Sequence, residues 1–126
     1  MTREHRLSTI QIDNHDALLK TCPDFDFYKL VRVKKLAIEW QGNSLAVYLT
    51  AFYEQRCALQ FLFEEVKNLC LPSIRDEGLW LSELEIEDKR GEFLVGVNYE
   101  LRDFGSDFYL TFKRLHFLGE ESKRDA

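Results

Sequence analysis

No stretch of this 126-residue chain approaches the ~20 consecutive apolar residues that span a bilayer, so no membrane-spanning helix is expected. Cysteine is scarce: Cys22, Cys57 and Cys70 are an odd, widely spaced set with no Cys-x-x-Cys pair and no histidine at ligand spacing. That arrangement argues against a zinc centre or a disulfide framework, and the three read as reduced thiols, mostly buried as small apolar groups. Histidine is limited to His5, His15 and His116, too few and too scattered to assemble an obvious nucleophile–base pair. The Gly-x-Ser-x-Gly elbow, a phosphate-cradling glycine loop and a dinucleotide fingerprint are all missing. A basic excess is missing too. The formal charge is −5, the wrong sign for displacing counterions from nucleic acid. Met1 to Arg6 leads into no apolar run of signal-peptide length, so the expected location is cytoplasmic. Repeats, low-complexity tracts and linkers do not occur. No cofactor and no enzymatic activity are expected.

Alternation is what the sequence does have. From Leu79 to Phe117 apolar and polar residues take turns in three runs: Leu79–Glu87, Glu92–Leu101 and Phe108–Phe117. Turn signals at Asp88-Lys89-Arg90-Gly91 and Asp103-Phe104-Gly105-Ser106-Asp107 separate them. A period of two over such lengths marks antiparallel strands with one buried face and one wet face. The runs predict a C-terminal three-strand meander. Upstream, Phe27–Trp40 is extended, and its apolar parity switches at Lys34-Lys35, where a bulge or corner is required. Gln41-Gly42-Asn43-Ser44 is a hairpin connection, with Gly42 or Asn43 supplying positive φ. Leu45–Phe52 returns, and Cys57–Phe63 follows after a turn at Tyr53–Arg56. For Glu64–Leu71 helical spacing competes with a bulged strand, and the strand is favoured. Pro72–Gly78 is the longest loop. Near the N-terminus Leu7–Ile12 reads as a short strand or arm. Asp13–Lys20 reads as one or two helical turns capped by Asp13 or Asn14 and ended by Cys22-Pro23. Ten Phe, five Tyr and two Trp suit a β core. Residues 1–126 therefore form one β-rich domain, with residues 1–26 a less ordered N-terminal segment. The fold class is mainly β: an antiparallel sandwich or strongly curved sheet of about seven strands with at most one short helix near the N-terminus.

Charge is concentrated. Residues 64–92 hold four Lys or Arg against nine Asp or Glu, which equals the net charge of the whole chain. Within this segment Glu83, Glu85, Glu87 and Asp88, joined by Asp76, Glu77 and Glu92, offer a negative surface that steers a basic partner. The alternative is a solvated edge strand kept from aggregating by like charge. Glutamates on one strand face lie about 6–7 Å apart and stay ionised together, which argues against paired-carboxylate chemistry on sugars. Trp80 is either core or an exposed aromatic anchor for the partner. Lys29, Arg32, Lys34 and Lys35 form the opposite pole, read as a solvated strand face. His116, beside Arg114, reads as an ordinary strand residue. A catalytic role for it requires a cleft and a carboxylate partner.

Three further stretches carry a resemblance. Leu36–Trp40 with its hairpin, the Phe-x-x-Val-x-x-Leu element of Leu59–Leu69, and Leu81–Ile86 with the closing Tyr109–Phe112 strand resemble small bacterial immunity proteins. Such proteins accompany polymorphic or contact-dependent toxins. The resemblance implies a non-catalytic protein that neutralises a basic toxin domain by covering it with the acidic strand face. A homo-oligomeric scaffold that pairs exposed strand edges, as in a homodimer, is the alternative.

Overall fold

The computed structural model describes residues 10–54, 57–71, 78–92 and 95–121 and is mainly β with one short helix. Among the described residues the strands are β1 (Ile12–Asp13), β2 (Leu30–Gln41), β3 (Ser44–Tyr53), β4 (Cys57–Cys70) and β5 (Leu79–Trp80). They continue with β6 (Leu84–Asp88), β7 (Tyr99–Asp103), β8 (Tyr109–Phe112) and β9 (Arg114–Glu121). The helix α1 covers His15–Thr21. Hydrogen bonding orders a first sheet as β5-β2-β3-β4-β9-β1 and a second as β6-β7-β8-β4. Every pair is antiparallel except β1 with β9, and the sheet does not close.

β4 belongs to both halves. Its residues Ala58 to Glu64 pair with β9, and its end, from Lys67 to Cys70, pairs with β8. The bend lies between, where Glu65 and Asn68 adopt φ of 54° and 56°. A bulged strand, not a helix, therefore occupies 64–70, and the left-handed residues turn it from one sheet into the other. Buried Thr111 fixes this corner: its hydroxyl donates to the Lys67 carbonyl at 3.0 Å and accepts from Asn68 at 3.3 Å. The parity switch in β2 is also a bulge, because Val33 faces Ala51 while Lys35 faces Thr50, leaving Lys34 extra. At the β2–β3 hairpin Gly42 supplies the positive φ, 66°, and Asn43 does not.

The C-terminal meander exists as β6-β7-β8, but each predicted run is interrupted. The first breaks at Leu81–Glu83, where the chain steps from the edge of one sheet to the edge of the other. Asp103, 2% exposed, holds that step by accepting the Ser82 and Glu83 amides at 3.0 and 2.9 Å. In the second run Glu92 ends a 3-10 turn (Arg90–Glu92) and residues 95–98 hold a turn at Gly96, φ 72°, not a strand, while residues 93–94 lie outside the described residues. The third splits at Lys113, whose amide donates to the Glu64 carbonyl at 3.0 Å and so sends β9 to the other half.

The core lies between the halves. Phe25, Phe27, Tyr53, Phe61 and Phe117 cluster with ring centroids 4.8–5.8 Å apart, and Phe63, Phe112 and Tyr99 form a second group. The N-terminal segment takes part: Ile10, Ile12, Leu18, Cys22 and Phe25 are all buried. Asn14 precedes α1 as expected. Its side chain does not cap the helix, however, and donates to the Phe117 carbonyl at 3.1 Å. Residues 7–9 of the expected first strand, 55–56 of the expected turn, and most of the 72–78 loop, with Asp76 and Glu77, lie outside the described residues.

Candidate functional site

Leu84 and Ile86 point into the core from β6, so alternation turns Glu85 and Glu87 outward on the edge of the second sheet. Cross-strand register sets Glu85 against Arg102 and Glu87 against Glu100. Glu83 stands in the preceding bend and Asp88 ends the strand, with Glu92 in the 3-10 turn beyond. Among the described residues six carboxylates thus share this edge with three cations, and each cation already meets at least one of them. Lys89 lies 3.4 Å from Glu87 and 3.2 Å from Glu92, Arg90 2.6 Å from Asp88, and Arg102 3.1 Å from Glu100. The Arg90 guanidinium holds the Asp88 carboxyl below its ordinary range. The Tyr109 hydroxyl donates to Glu100 at 2.7 Å. Exposed ion pairs of this kind contribute about 0–1 kcal/mol each, so their main effect is to set the local field. That field stays negative.

Trp80 is 53% exposed, which makes it a surface aromatic and not core. It occupies β5 at the edge of the first sheet, three residues of chain before β6. The Arg32 guanidinium lies 5.4 Å from its ring and 4.9 Å from the Phe52 ring, a cation–π contact on two sides. The predicted Trp80 anchor and the glutamate row therefore sit on the edges of two different sheets. The basic cluster disperses as well: Lys29 pairs with Asp24 at 3.1 Å and Lys34 with Glu121.

One constellation was not legible as a unit. His116 of β9 meets two carboxylates: its Nδ1 lies 2.9 Å from Asp13 of β1, and its Nε2 bonds Glu64 of β4. Arg114 completes the group, 3.3 Å from Glu64 and 2.7 Å from Glu65. Ionised carboxylates only accept, so this arrangement favours the imidazolium, which donates from both ring nitrogens. Desolvation pulls its pKa down, but the bonds to Asp13 and Glu64 outweigh this and raise it above 6.5. Burial pushes Glu64 upward, and its bonds to His116 and Arg114 bring it below 4.5. Partners 52 and 103 residues away in sequence leave no local spacing to read. The hint was confined to the β1–β9 register, which no pattern specified.

Among the described residues no cluster of three or more His, Cys, Asp or Glu is poised for a metal ion. Cys22 is buried and its thiol contacts Cys57, whose own thiol is pushed up to about 12 by burial; Cys70 is exposed. Also among the described residues, no helix is long and apolar enough to cross a membrane. No family model, curated protein or solved structure matches the chain.

Proposed function

We propose that this is a non-catalytic protein-binding domain whose acidic sheet edge, centred on Glu85 and Glu87 of β6, docks a basic protein partner. The observation that carries the reading is that, among the described residues, six carboxylates share one sheet edge with three cations, all three cations engaged inside the molecule. Such a surface accelerates encounter with a positively charged cleft and rejects acidic competitors. Trp80, exposed at the neighbouring edge, supplies the aromatic contact that a charged rim lacks.

Within this class the patterning favours an immunity protein that neutralises a bacterial toxin from its cytoplasmic side. The direct test is binding to the product of the reading frame adjoining its own gene. Co-expression is expected to relieve that product's toxicity, and a complex is expected on size exclusion. Unrelieved toxicity with no complex contradicts the immunity reading. A domain that runs on its own as a dimer or higher oligomer, with no affinity for basic proteins, supports the scaffold alternative.

A further inference from the structure

We propose that the cleft between β1 and the β8–β9 crossover binds a small organic oxyanion, an anionic oxygen group carried on an apolar body. The cleft measures about 660 Å³, within the ordinary range of ligand pockets of roughly 300–1,000 Å³. Its floor is apolar: Ile10, Ile12, Tyr99 and Leu115 line it and are nearly fully buried. Its rim carries Lys113, Arg114 and His116, with Asp13 the one carboxylate among the lining residues. Part of that positive charge is neutralised, because Asp13 and Glu64 hold His116 and Glu64 and Glu65 hold Arg114.

Lys113 is different. Its backbone is clamped at both ends, the amide donating to the Glu64 carbonyl and the carbonyl accepting Asn98 Nδ2, each at 3.0 Å. The root of the side chain is therefore fixed at the crossover. The ammonium itself meets no acceptor among the described residues, although Lys113 is half-buried. An ammonium without a counter-charge is free to pair with an anion entering the cleft. A second group has the same unused capacity. Tyr99, 2% exposed, accepts the Gln11 amide at 3.1 Å through its hydroxyl oxygen. No acceptor among the described residues takes its hydroxyl proton, so that proton is available to the cleft. Unpaired ammonium, spare hydroxyl donor and apolar floor together match an oxyanion on a ring or short apolar chain.

The test is a nuclear magnetic resonance titration of the full chain with benzoate and phenyl phosphate, with benzyl alcohol and inorganic phosphate as controls. Both organic anions are expected to shift the Tyr99 and Leu115 amides saturably, in the millimolar range or tighter, and more strongly than either control. Lys113→Met and Tyr99→Phe are each expected to weaken benzoate about tenfold, the loss of one charge-assisted hydrogen bond. Lys113→Arg, which keeps the charge, is expected to bind within about threefold of the parent. Unfolding curves of the variants identify any that fail to fold, and the Lys113 pair decides the matter because that ammonium makes no hydrogen bond or ion pair among the described residues. Benzyl alcohol binding as well as benzoate, unaltered binding in Lys113→Met, or no saturable shift at these amides overturns the proposal.

Discussion

Asp103 is the single side chain on which the architecture leans most. Ser82, Glu83 and Ser106 all donate to its carboxylate, the last through Oγ at 2.6 Å, and together they fix the step between the two sheet edges. Asp103→Ala leaves two amides without their acceptor and is expected to lower stability by about 3 kcal/mol in urea unfolding at neutral pH. A loss under about 1 kcal/mol contradicts the assigned role. Gly105 stands beside this loop, where an added Cβ comes within 1.9 Å of Ser82 Oγ. Gly105→Ala is therefore expected to destabilise the same step. The thiols separate by environment. Cys70 is exposed, and a thiol reagent is expected to modify it quickly in the native protein. Cys22 is buried and the Cys57 thiol is held protonated, so both are expected to react only on unfolding. Mass spectrometry of the alkylated protein distinguishes one label from three.

Among the elements, β1 is held by little backbone: just as β5 pairs two residues with β2, it pairs two with β9. The His116 cluster supplements that pairing and gives it a pH dependence. Because the folded pKa of His116 is raised, its contribution is complete below 6.5 and is lost as pH climbs through the folded value. Because the folded pKa of Glu64 is lowered, its contribution is complete above 4.5 and is lost as pH falls through the folded value. The clasp is therefore strongest between 4.5 and 6.5, and Lys113 and Arg114 add positive charge around it. Hydrogen exchange, corrected for intrinsic rates, is expected to show Ile12–Thr21 less protected at about pH 9 than at about pH 6. His116→Gln is expected to remove that difference, and an equal difference in the variant contradicts the clasp. The same scale shows what the sequence made legible. The β2–β3 hairpin, the bulge at Lys34 and the strand through 64–70 could be read, because parity and turn residues are local. The breaks at Leu81–Glu83 and Lys113 could not, since their causes are Asp103 and the Glu64 carbonyl, 20 and 49 residues away. The acidic row could be seen in the alternation of β6. The Asp13–His116–Glu64 cluster could not, because three separate strands bring it together.

At the scale of the whole molecule the charge is polarised, with an acidic edge on β6 and Arg32 exposed beside Trp80 on the other sheet edge. Light scattering is expected to give the 14.9 kDa monomer mass, since the proposed docking edge is specific to a basic partner and repels its own copy. A stable dimer favours the scaffold alternative instead. The acidic edge itself is tested most directly by the rate at which the basic partner, the adjoining gene's product, associates with the parent domain and with Glu85→Lys/Glu87→Lys. At low ionic strength the double variant is expected to associate about tenfold more slowly, with the gap shrinking to within about twofold at roughly 0.5 M salt. Equal association rates at low salt contradict docking through β6.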